Sequence, residues 1–179
     1  MVAQAPSSFD LASTLARDWA VQVNAGTTET PDWIFVRGLS KFAPQTTPTM
    51  QDDSDIDSEG YKSQIATALQ MTFQGEGKRK GEKSGDIFQQ DPGQAALRAV
   101  GRKMGLGNVI QARCWRTDGV QEGYESNFSV EWADVDGGNE DLDSFNFTMM
   151  SRGKPREINP VTDPEGASVD ADDVDDQEG

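Results

Sequence analysis

Apolar residues in this chain recur at every second position, in short runs that glycine, proline or polar turn residues cut off. Successive side chains of a strand point to opposite faces, so this period is that of strands with one face covered and one face wet. Trp19, Val21 and Val23 make one such run, and Trp33 to Ser40 (WIFVRGLS) reads as a second strand rich in aromatic and β-branched residues. In Gln64 to Gln74 the residues Ile65, Thr67, Leu69, Met71 and Phe73 share one face, which predicts a third strand with a clear inward side. Alternation resumes in Val109 to Asp118, in Glu122 to Val135 and in Leu142 to Met150. One segment breaks the pattern. Asp91-Pro92-Gly93 can cap and open a helix, with Ala96, Leu97, Val100 and Met104 at helical spacing and Gly105 or Gly107 as its end.

About six strands with a single helix between the third and fourth predict a mainly β fold, an antiparallel sandwich or barrel with one flanking α-helix. Lys41 to Gly60, with Pro44, Pro48 and the acidic run Asp52 to Glu59, reads as a long polar inter-strand loop, and loops of this length are usually functional or disordered. Gly75 to Gly85 (GEGKRKGEKSG) reads as an exposed hairpin tip or loop. After Pro160 the chain is acidic and free of aromatic residues, which predicts a disordered C-terminal tail. The predicted division is an N-terminal arm at 1–15, a β domain at 16–158 and the acidic tail at 159–179.

Charge and composition narrow the chemistry. The 179 residues carry a net charge of −15, and eight acids without a base fall between 159 and 179. The remainder is also acidic, so the chain is unsuited to gripping duplex DNA, which requires clustered Lys and Arg. There is no histidine, which removes the commonest general base and metal ligand. The single cysteine, Cys114, excludes an internal disulfide framework and reads as a buried structural thiol. No apolar run is long enough to span a membrane, and the first ten residues lack the charged and apolar regions of a secretion signal, which predicts cytoplasmic synthesis.

Three local patterns were weighed for binding. Asp53, Asp55 and Asp57 match the first ligands of a calcium loop, but Ser58 stands where glycine is required and Gln64 where glutamate is. A solvated loop, or one that meets a neighbouring subunit, fits better. The Gly- and Lys-rich stretch lacks the spacing of a phosphate-binding loop; Lys78, Arg79, Lys80 and Lys83 form a basic patch in an acidic protein. Two readings apply to this patch: a soluble hairpin tip, or a partner for the acidic loop of another copy. Trp19, Trp33, Trp115 and Trp132 all fall in predicted strands, where core or interface packing accounts for them. No catalytic constellation, metal site or cofactor site emerges.

The order of segments carries a resemblance. A Trp strand precedes a second Trp strand ending Arg37-Gly38-Leu39-Ser40-Lys41-Phe42-Ala43-Pro44. Then come a loop containing Gln51-Asp52-Asp53-Ser54-Asp55 and Ser58-Glu59-Gly60-Tyr61, a Thr/Gln-rich strand, the helix at Asp91-Pro92-Gly93 and a late strand from Glu125 to Trp132. From Ala16 to Ile158 the chain resembles the major tail tube proteins of long-tailed phages, particularly those of actinobacteria. That resemblance implies a structural, non-enzymatic virion protein, made in the host cytoplasm and resident in the tail. Its six-membered rings stack into a hollow tube through which DNA passes without specific or membrane binding. It implies as partners other copies of the chain, a tape measure protein, and tail tip and terminator proteins. The contact between rings then maps to Lys41, Phe42, Gln51, Asp52, Asp53, Asp55, Asp57 and Tyr61. The alternatives are a monomeric β-sandwich binding or decoration module, and a terminator or connector ring.

Overall fold

The computed structural model describes residues 11–171. Residues 1–10 and 172–179, holding most of the predicted arm and the end of the acidic tail, lie outside the described residues. The strands are β1 (Trp19–Asn24), β2 (Trp33–Phe35), β3 (Leu39–Asp52), β4 (Gln64–Lys78), β5 (Gly81–Ser84), β6 (Ile87–Gln90), β7 (Val109–Arg116), β8 (Gly123–Val135), β9 (Ser144–Ser151) and β10 (Arg156–Glu157). The helix α1 (Pro92–Gly101) lies between β6 and β7. All pairings are antiparallel, and the main sheet runs β2-β1-β7-β8-β9-β4-β3, with β10 also pairing β8. β5 and β6 form a small sheet of their own.

The large sheet curls on itself. Trp19 of β1 and Phe42 of β3 have four strands between them in the sheet order, yet their ring centroids are 5.9 Å apart. Phe42 continues to Phe73 (5.6 Å) and Phe73 to Phe128 (4.3 Å), an aromatic line across the interior. Val21, Val23, Leu97, Phe147 and Met149 complete the core around it. α1 contributes Leu97, fully buried, and starts as its sequence predicts: Asp91 accepts from Gln94 N–H (3.2 Å), and Pro92 occupies the first turn. Gly75 is required by packing, because a Cβ there would lie 2.4 Å from the Phe147 ring. Cys114 is buried, and burial pushes its thiol well above the ordinary range.

Five expectations change. The predicted strand Trp33 to Ser40 is two strands, because the chain swings at Gly38 in the left-handed region (φ +80°) between β2 and β3. The predicted loop from Lys41 to Gly60 is for the most part β3, which runs to Asp52 opposite β4 in spite of Pro44 and Pro48. The inward side predicted for Ile65 to Phe73 is inward only at Met71 and Phe73; Ile65 and Leu69 are exposed. The helix ends at Gly101, earlier than Gly105, and the acidic segment beyond Asn159 is built onto the sheet as far as residue 171.

Candidate functional site

β3 and β4 form a hairpin far longer than the core that roots it. β9 pairs β4 only from Thr72 to Lys78, so beyond Thr72 the ribbon consists of two strands with both faces exposed. Fifteen residues of β4 span roughly 50 Å at the rise of an antiparallel strand. The face that carries Phe42, Phe73 and Met71 in the core continues outward through Leu69, which is 71% exposed, and Met50; a register shift between Thr49 and Met50 turns Ile65 to the opposite face. The apolar stripe therefore outruns the interior of its own chain.

The free edge of β3 has a definite polarity. Lys78 N–H donates to Gly38 O (2.9 Å), whereas Met71 N–H donates to Ser151 Oγ on the β9 side (3.2 Å). From Ala68 to Lys78 the even-numbered residues of β4 therefore address β3, and the odd ones address β9 or, beyond it, solvent. Pro44 and Pro48 pair with Phe73 and Leu69, so their missing amides would have pointed away from the sheet. Two of the outward donors of this edge are thus absent by sequence, which is why the prolines do not stop the strand.

At the far end the acidic turn is organised by its own hydrogen bonds. Ser54 N–H donates to Asp52 Oδ1 (2.8 Å), Ser63 N–H to Ser54 Oγ (2.7 Å), and Asp53 N–H to Ser63 O (3.1 Å). Hydrogen bonds from the Ser54 side chain and backbone hold the Asp52 carboxyl below its ordinary range. Asp57 N–H donates to Asp55 Oδ1 (3.1 Å), and Glu59 and Gly60 turn the chain back with positive φ. Gln51, Asp52, Asp53, Asp55, Asp57 and Tyr61 are thus gathered at the outer end, all exposed. Lys41 and Phe42 lie at the root instead: Lys41 pairs with Glu76 (2.8 Å), and Phe42 is a core residue.

The basic residues divide as well. Lys78 ends β4, Lys83 lies on β5, and Lys80 joins them through backbone bonds to Gln94 and Asp91. Arg79 is engaged within the chain, donating to Asp143 Oδ2 at 2.8 Å. The acidic turn and this basic group stand at opposite ends of β4.

A further feature was invisible to composition. The outer face of β2-β1-β7-β8 is roofed by residues 159–171. Arg113, fully buried there, donates to Gln22 Oε1 (2.8 Å), Pro164 O (2.8 Å), Gly166 O (2.9 Å) and Ser168 Oγ (2.9 Å), with its guanidinium 4.1 Å from the Trp33 ring. Ser168 Oγ in turn bonds Glu125. Desolvation lowers the Arg113 pKa, while Glu125 and Asp163 oppose it. An arginine alternating with core residues in β7 was the one available signal for such a second layer.

Among the described residues no cluster of three His, Cys, Asp or Glu side chains could hold a metal, and no helix is long and apolar enough to cross a membrane. No family model matches the chain, and no curated protein matches it. Solved structures do. A chain in the tail of an empty gene transfer agent particle, refined helically with C6 symmetry, aligns with TM-score 0.59 at 14% identity, over 81% of this chain and 98% of that one. A chain of the native gene transfer agent virion aligns with TM-score 0.54 at 13% identity, over 81% and 98%. A chain in the sixfold-symmetrised baseplate of the anti-feeding prophage gives 0.52 at 9% identity, over 83% and 97%. At these identities the likeness establishes the fold, one that chains of tail, virion and baseplate assemblies share.

Proposed function

We propose that this chain is a structural subunit of a hollow phage-type tail tube, in which six copies close into a ring and rings stack into a conduit for DNA. The observation that carries the reading is the outer half of the β3–β4 hairpin, a ribbon whose apolar stripe has no cover among the described residues. Large exposed apolar surface marks a contact with another molecule, and a sheet with two open edges is suited to a closed ring of copies. The sixfold symmetry of two of the structures that share the fold supports six as the ring number.

Stacking then brings the acidic turn of one copy toward the basic group of another, since the two lie at opposite ends of β4 and cannot meet within one chain. With Arg79 held by Asp143, Lys78, Lys80 and Lys83 are the residues for this contact. The net charge of −15 suits a conduit, because phosphates are repelled and DNA slides without being held. The tape measure, tip and terminator proteins are the partners of this role, with the virion tail as its place. Negative-stain electron microscopy of concentrated protein, with and without purified tail tips, tests the reading. Hollow tubes with a regular ring repeat are expected; single rings that never stack would favour a connector, and monomers even with tips a binding module. Lys78→Glu with Lys80→Glu should slow tube growth at low salt, and unchanged growth would remove the charge contact.

A further inference from the structure

The β5–β6 hairpin and the groove beside α1 are complementary, and neither is covered by another part of the described residues. β5 and β6 pack extensively only on each other, and an isolated two-stranded ribbon is marginal in water. Gly85, at φ +61°, makes the tight turn, and the residues after it are apolar and exposed: Ile87 at 69% and Phe88 at 55%. They lie on opposite faces of the ribbon, so no single flat surface covers both; a cleft does. Such a cleft, of about 670 Å³, lies between the C-terminal half of α1 and the β1–β2 turn. Ala96, Ala99, Val100 and Leu106 supply its apolar lining, Leu106 being 78% exposed. Lys103 and Arg152 stand at the cleft, and neither takes part in an ion pair among the described residues. The hairpin carries two acids, Glu82 and Asp86, beside its apolar residues, with Lys83 of the basic group between them.

The hairpin leaves the N-terminal end of α1 and the cleft lies toward its C-terminal end, a helix of ten residues, about 15 Å, apart. A projection and a recess at opposite ends of one element join copies head to tail. We infer that the Gly85–Phe88 turn of one copy inserts into the α1 cleft of the next, with Asp86 and Glu82 meeting Lys103 and Arg152. The inference rests on the self-association proposed above and names a contact separate from the long hairpin.

The test is cross-linking during assembly. Cys114 is buried, so Asp86→Cys with Lys103→Cys adds the accessible thiols. A short bismaleimide should then give a ladder of covalent oligomers from the double variant and no more than dimers from either single variant. Ile87→Ser with Phe88→Ser, at exposed positions, should leave the thermal midpoint in place while raising the protein concentration needed for assembly about tenfold or more. Tubes without a ladder, at an unchanged assembly concentration, would overturn this contact and leave the tube intact. Monomers without a ladder, even with tail tips added, would remove both.

Discussion

The two halves of the β3–β4 hairpin obey the same sequence rule and meet different fates. Near the root, Phe42, Met71 and Phe73 alternate into a core closed by β9, α1 and the curl of the sheet. Farther out, Leu69 and Met50 continue the same face and look onto solvent. Alternation specifies a strand and its face. It does not specify which molecule covers that face. A ribbon of two strands that is patterned for burial but left bare is patterned for burial by something else, and here the proposed cover is another copy.

The widest gap between the halves is expected in stability. Phe73→Ala opens a cavity in the aromatic line and should cost about 3–5 kcal/mol in chemical denaturation of the monomer. A loss below 1 kcal/mol would mean that the root is no better packed than the tip. Arg113→Ala tests the inverse case, a polar residue covered where alternation leaves it exposed. It leaves Gln22 Oε1 and the Gly166 carbonyl without their donor and takes one of two donors from the Pro164 carbonyl, at a cost of about 3 kcal/mol, and should make the roof segment cleavable by protease. Leu69→Ser should shift unfolding by no more than about 0.5 kcal/mol. The same change should raise the concentration for tube assembly about tenfold or more; if it destabilises the monomer as Phe73→Ala does, the outer half is packed within the chain. The smallest effect belongs to the turn. Ser54→Ala removes the main hydrogen bond that lowers the Asp52 pKa, so the carboxyl titration followed by NMR should move up toward its ordinary value. A lowered folded pKa contributes stability above the unfolded value that is lost as pH falls through the folded one. The variant should therefore lack that part of the acid sensitivity of the turn.

Much of the architecture was legible where local chemistry and tertiary role agree. Asp91-Pro92 marked the start of α1 because capping is satisfied within three residues. The runs around Val21, Cys114, Phe128 and Phe147 marked strands because their partners lie in the same core. Legibility failed where the deciding partner is remote. Pro44 and Pro48 suggested a loop, and only the position of β3 at the sheet edge makes them harmless. The segment after Asn159 has the composition of a disordered tail, yet as far as residue 171 it is held largely through its backbone carbonyls, which composition does not encode. Arg79 looked like a member of a free patch until Asp143, distant in sequence, came to stand beside it. Of the residues expected at the contact, Gln51 to Tyr61 lie together at the outer end of the hairpin, whereas Lys41 and Phe42 lie at its root, because a half-buried strand root and a polar loop share the same first residues.

The edge prolines carry a consequence for storage. A strand of fourteen residues with a bare edge is a template for cross-β growth, the commonest way in which a concentrated β protein is lost to fibrils. Fibril propagation depends on an unbroken ladder of donors, and at Pro44 and Pro48 the outward ladder has gaps that no incoming strand can fill. Side-chain docking is unaffected by those gaps. In the proposed role, the chain can therefore accumulate before assembly, with the indiscriminate route of polymerisation hindered and side-chain docking left open.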